Sequence, residues 1–153
     1  MEKRKTTVTV SFDITLEDHY DLLKKIFDLD KNFKLNQEKA LCWAVKNNNA
    51  KLVSLLTKAG VDVTIDDNWP IRYAISQNYA EIVKILMEAG ADVMAEDNWS
   101  IVCVVVENYT ETMKVLIEKG VDVTTDDNWS IRYATANNYT EMVNILIEAG
   151  AKL

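Results

Sequence analysis

The chain has 153 residues, 48% of them apolar and 27% charged, a balance expected of an ordinary globular domain. Its net charge of −7 opposes binding to nucleic-acid phosphates. No apolar run approaches the roughly 18 residues of a membrane helix, and the basic start is followed by Thr/Val alternation rather than a signal core. A single His (His19), remote from both Cys42 and Cys103, leaves little for a catalytic triad or a zinc site, so no enzyme, metal or cofactor is expected.

In chain order, the first element is an extended segment. Val8, Val10, Phe12 and Ile14 alternate with Thr7, Thr9, Ser11 and Asp13, a strand-like period of two. The stretch from His19 to Phe27 then reads as a lone helix, and residues 1–34 together as an atypical N-terminal cap. From residue 35 a period of thirty takes over. Gly60, Gly90, Gly120 and Gly150 mark it, and so do Asn68, Asn98 and Asn128, Trp69, Trp99 and Trp129, and Tyr79, Tyr109 and Tyr139. Residues 66–93 match residues 126–153 at 18 of 28 positions. A fixed period of this length signals stacked repeats, here 35–64, 65–94, 95–124 and 125–153.

Each repeat is expected to hold two helices. In the second repeat the first helix runs from about Trp69 to Gln77, with Asp67 or Asn68 as its cap and Pro70 tolerated in the first turn. Asn78 ends it by entering the left-handed region. The second helix runs from about Ala80 to Ala89, with Ile82, Val83, Leu86 and Met87 on one face, and Gly90 closes it. The first repeat is weaker, with Lys39 in place of the Trp.

These blocks resemble the ankyrin repeat. Pro70-Ile71-Arg72-Tyr73-Ala74 is similar to the family's P-L-H-x-A block, the run from Asn78 to Lys84 to its G-H-x-E-V-V-K, and Gly90-Ala91-Asp92-Val93 to its G-A-D-V. The resemblance covers about residues 35–153 and implies an all-α ankyrin-repeat solenoid that binds proteins. The usual repeat has 33 residues. Here three are missing from the hairpin finger, which has become Asp97-Asn98-Trp99-Ser100, a shortened form resembling ankyrin proteins of large DNA viruses. The resemblance implies a protein-binding module and, through its short repeat, a viral antagonist of a host protein; two cysteines too far apart to pair fit an intracellular, cytoplasmic compartment, and the charge and hydropathy above point away from nucleic acid or membrane as partner.

Several residues are candidates for partner binding. Residues 1–60 hold eleven basic and eight acidic side chains, whereas residues 61–153 hold six and sixteen. The acidic excess falls at the fingers, at Asp66 and Asp67, Glu96 and Asp97, Asp126 and Asp127, and in the return loops at Asp62, Asp92 and Asp122. One reading is a stripe that steers a basic partner; the other is helix capping and solubility. Trp69, Trp99 and Trp129 are either an anchor strip or the packing that closes a short finger. The third repeat diverges: Val102 and Val106 replace Arg72 and Ser76, four residues apart and so on one helix face. With Trp99 they would form an apolar patch flanked by Arg72 and Arg132, which are themselves expected to pair with finger Asp residues.

The last repeat keeps the apolar residues Met142, Val143, Ile145, Leu146 and Ile147 with no polar closing helix after it. Met142, Ile145 and Leu146 are therefore candidates for self-association into a homo-oligomer, the alternative function being that of a self-assembling structural protein. Cys42 and Cys103 lie two repeats apart, about 20 Å at roughly 8–10 Å per stacked helix, beyond the reach of a disulfide.

Overall fold

A computed structural model describes residues 34–94 and 98–153, with side chains from residue 37 onward. They belong to one compact unit of the chain, Asn32–Leu153. The extended segment and lone helix expected within residues 1–34, and the finger residues Glu96 and Asp97, lie outside the described residues.

Among the described residues there are eight helices and no strand. They are α1 (Lys34–Lys46), α2 (Ala50–Lys58), α3 (Ile65–Ser76), α4 (Ala80–Glu88), α5 (Trp99–Val106), α6 (Thr110–Glu118), α7 (Thr125–Ala136) and α8 (Thr140–Glu148). Consecutive helices pair into four units, α1 with α2 through to α7 with α8. The odd-numbered helices stack on one another as one layer and the even-numbered helices as a second. This is the all-α ankyrin solenoid expected from the repeat.

The thirty-residue punctuation works through backbone conformation. Asn48, Asn78, Asn108 and Asn138 sit at φ between 51° and 60°, and the four glycines at φ between 84° and 98°. Both kinds of residue close a helix in the same way. After α4, the Ala91 amide donates to the Leu86 carbonyl and the Gly90 amide to Met87. After α3, the Tyr79 amide donates to Ala74 and the Asn78 amide to Ile75. These paired bonds satisfy the carbonyls a helix end leaves open, and they require a left-handed residue, which Gly and Asn supply at least cost.

The shortened finger is built differently from the cap expected of it. Asp66, Asp67 and Asn68 are three successive left-handed residues at φ 47°, 59° and 56°, so helical geometry begins only at Trp69; Asp126, Asp127 and Asn128 repeat the turn. L-residues visit this region as single residues rather than runs, and Asp and Asn are the types that tolerate it best. Asn68 does not cap the helix that follows it. Its Oδ1 accepts the amide of Asp92, 24 residues on, and Asn128 likewise accepts the amide of Lys152. The finger is thus tied to the return loop at the far end of its own unit. Thr64 and Thr124 precede α3 and α7 without capping them through their side chains.

The core lies between the two layers. From α3 and α4 it takes Ile71, Ala74, Ile75, Ile82, Val83 and Leu86, all fully buried. The equivalent residues of the next unit, Ile101, Val104, Val105, Met113 and Leu116, are buried too. Polar bonds set the register between units. Thr112 is wholly buried and its hydroxyl donates to Asn78 Oδ1 at 2.7 Å. Tyr109 Oη donates to the carbonyl of Ser76 and Tyr139 Oη to that of Val106, so these two Tyr residues satisfy the last carbonyl of the preceding unit's first helix.

Candidate partner-binding face

The three finger tryptophans begin in equivalent places and end in different surroundings. Trp69 stacks on Tyr73 with ring centroids 4.9 Å apart, and Trp129 on Tyr133 at 5.0 Å. Residues four apart share a helix face, which brings the rings together. Each stack continues at 6.5 Å into the next aromatic, Tyr79 or Tyr139. Trp69 also carries a cation, Lys46 Nζ, 5.2 Å from the ring centre, a distance at which an ammonium is attracted by the indole quadrupole.

Trp99 has another setting. The residue four positions on is Cys103, so no ring stands where Tyr73 and Tyr133 stand in their units. The residue 23 positions back, where Lys46 stands relative to Trp69, is Ser76. Trp99 is 36% exposed and Val102 beside it 37%. Between α3 and α5 a groove of about 300 Å³ opens, lined by Trp69, Arg72, Tyr73, Ser76 and Trp99. Val106, expected in the same apolar patch, is only half-buried, while Ile101, Val104 and Val105 of α5 face the core.

The charges around this face fall into two groups. Asp66, Asp67, Asp126 and Asp127 are exposed at the fingers. Arg132 pairs with Asp127 at 2.7 Å, as expected for the helix arginines, and Asp126 Oδ2 accepts a bond from the Asn98 side-chain amide at 3.2 Å. The return-loop carboxylates do local work. Asp62 accepts from the Thr64 amide and hydroxyl, Asp92 from the Met94 amide, and Asp122 from the Thr124 amide and hydroxyl. The bonds from Thr124 hold the Asp122 carboxyl below the usual carboxylate range.

The even-numbered layer is of another kind. Lys119 pairs with Glu88 at 2.7 Å, Lys84 with Glu118 at 3.6 Å, and Lys114 with both Glu111 and Glu141. All but the Lys114–Glu111 pair, which lies within α6, cross from unit to unit. The Lys119 ammonium holds the Glu88 carboxyl below its ordinary value, and the two glutamates raise that of Lys114.

The residues expected to mediate self-association sit inside the last unit. Met142 and Leu146 are fully buried and Ile145 nearly so, because they supply the inward face of α8; Ile147 is the exposed apolar residue of that helix. Cys42 and Cys103 are free thiols. Burial raises both pKa values above the ordinary thiol value, and Asp66 adds to the effect at Cys42 and Glu107 at Cys103. Burial also raises the Tyr109 hydroxyl, with Glu107 and Cys103 contributing.

Sequence reasoning picked out Trp69, Trp99, Trp129, Val102 and Arg132 and missed Lys46, Tyr73 and Ser76. The signal for those three was present: positions 43, 73, 103 and 133 read Trp, Tyr, Cys, Tyr, and positions 46, 76, 106 and 136 read Lys, Ser, Val, Ala. Both series change across the three repeats that keep the finger Trp.

Residues 14–97 match the family model for ankyrin repeats, in three copies. Among solved structures, an ankyrin repeat domain from Acinetobacter baumannii AYE is 21% identical, covers 90% of this chain and 95% of its own, and superposes with a TM-score of 0.45. No curated protein matches.

Proposed function

This chain belongs to the ankyrin-repeat family, and from that premise we propose that it is a non-enzymatic module binding one protein partner through the odd-numbered helix layer around the third unit. The observation that carries the reading is the exposure of Trp99 and Val102, the exposed large apolar residues of α5, together with the groove that Trp99 lines. Buried aromatic anchors in pockets dominate protein interfaces, and this is where the repeat departs from itself. The exposed carboxylates of the fingers support a partner with a basic surface, steered to the face before it docks. The thirty-residue unit resembles the short repeats of large DNA viruses, which supports casting the partner as a host protein and the action as occlusion of that basic surface.

The test is a substitution on each layer. A partner captured by the tagged chain from host-cell lysate is identified, purified and titrated against Val102→Asp and Lys84→Ala. Val102→Asp should weaken binding more than about tenfold, in the range of a hot-spot loss, and Lys84→Ala should leave it unchanged. A Val102→Asp chain with native circular dichroism and full affinity would place the partner elsewhere.

A further inference from the structure

We propose that the groove beside Trp99 is a receptor for one basic side chain, a Lys or Arg of the protein partner, taking over the place that Lys46 holds at Trp69. The proposal rests on the protein-binding reading above and specifies its chemistry. Trp69 is engaged twice by its own chain, with Tyr73 stacked at 4.9 Å and Lys46 Nζ at 5.2 Å. One period later the indole is kept and both of these partners are replaced, the ring by Cys103 and the cation by Ser76. A Ser side chain stops far short of where a Lys ammonium ends. The space left over is the groove of about 300 Å³ lined by Trp69, Arg72, Tyr73, Ser76 and Trp99. The Ser76 hydroxyl is turned onto its own helix, donating to the Tyr73 carbonyl at 2.9 Å, so it does not fill the gap.

The groove's own charged lining residue is Arg72, and the chain around it is acidic. Asp66 and Asp67 are exposed in the turn that leads into Trp69, and Asp126 is bonded to Asn98, the neighbour of Trp99. Residues 61–153 hold sixteen acidic side chains against six basic. Arg72 stands on the groove wall. Its counterpart Arg132 lies against Asp127, five residues back, and Asp67 precedes Arg72 by the same five. An aromatic face in so acidic a stretch of chain attracts an ammonium or guanidinium through both the ring quadrupole and the net field.

The full-length chain, with its tryptophan indoles labelled with 15N, is titrated with acetylated penta-lysine amide and, separately, penta-glutamate. The expected result is a penta-lysine shift largest at the Trp99 indole N–H and smaller at Trp69, Trp43 and Trp129, with no shift from penta-glutamate. Ser76→Lys supplies the cation in cis and should weaken penta-lysine binding about three- to tenfold, the size of one exposed-to-desolvated cation–π contact. Gln77→Lys adds the same charge one residue on and should weaken it less than twofold. Equal losses from the two lysine variants, or indole shifts spread evenly over the four tryptophans, would overturn the slot in favour of a diffuse acidic surface. With the natural partner, loss by Val102→Asp but not by Ser76→Lys keeps the face and rejects the slot, whereas loss by neither rejects both.

Discussion

Cys103 decides how the third unit differs from its neighbours. A Tyr at this place in the second and fourth units stacks on the finger Trp at 4.9–5.0 Å and continues into the Tyr of the following helix. A thiol offers no ring to stack on the indole, and Trp99 is left 36% exposed. Because the backbone repeats, the larger side chain already has a geometry that fits it twice in the same chain. Cys103→Tyr should therefore stabilise the fold by about 0.5–1 kcal/mol, the value of an aromatic pair beyond its area, read as a higher urea midpoint at unchanged slope. The same substitution should reduce acrylamide quenching of the tryptophan fluorescence. An unchanged midpoint with unchanged quenching would mean that Trp99 has its own rigid seat. The finger Asn residues show the opposite limit on reading single positions. Asn68 stands just before a helix, where Asn is a strong cap, and yet its side chain serves the Asp92 amide 24 residues away. Local sequence carries the residue type; the bond becomes visible only once the register of the whole unit is known.

At the level of the element, the helices were legible and the finger was not. Gly and Asn at thirty-residue spacing mark helix ends because few residues enter the left-handed region cheaply, so the ends of α3 and α4 fall within a residue of where their sequences place them. The Asp-Asp-Asn finger has the composition of a helix N-terminus, and nothing in its side chains announces three left-handed residues in succession. That conformation follows from having to close a hairpin with three residues fewer than the usual repeat. The two kinds of left-handed site respond oppositely to substitution. Gly90 has nothing within 4 Å of where a Cβ would stand, so Gly90→Ala introduces only backbone strain. It should cost about 1–2 kcal/mol. Asp66, exposed and at φ 47°, already bears such strain, and Asp66→Gly should return roughly 0.5–1 kcal/mol. Urea denaturation of both variants gives the two signs directly; destabilisation by Asp66→Gly would show that the carboxylate has a structural partner that outweighs the strain. The charged face of the site was legible in the same partial way. Asp66, Asp67, Asp126 and Asp127 stand exposed at the fingers, whereas the return-loop Asp residues are engaged by their own turns.

Across the whole molecule, stability passes from unit to unit rather than through one central core. Among the described residues the main helix contacts run within a unit and to the next unit in the stack, and for such arrays the free energy is close to a sum of unit terms and nearest-neighbour interfaces. The bonds that cross between units follow the same order: Thr112 to Asn78, Tyr109 to Ser76, Tyr139 to Val106, and Lys119 to Glu88. The exposed ion pairs among these contribute little, so apolar burial at the interfaces carries the coupling. Leu116 lies in α6, fully buried, with α4 on one side and α8 on the other. Leu116→Ala should destabilise the third unit by about 2–5 kcal/mol. The consequence is then directional. With the third unit open, α7 and α8 lose the one neighbouring pair they touch, whereas α1 to α4 keep the interface between the first and second units. Amide hydrogen exchange should therefore show lost protection in α5 to α8 together and retained protection in α2 and α4. Leu146→Ala, in the fourth unit, should lower protection in α7 and α8 and leave α1 to α4 untouched. Uniform loss along all eight helices from either substitution would mean a single cooperative unit, with interface terms large enough that no part of the array stands without the rest.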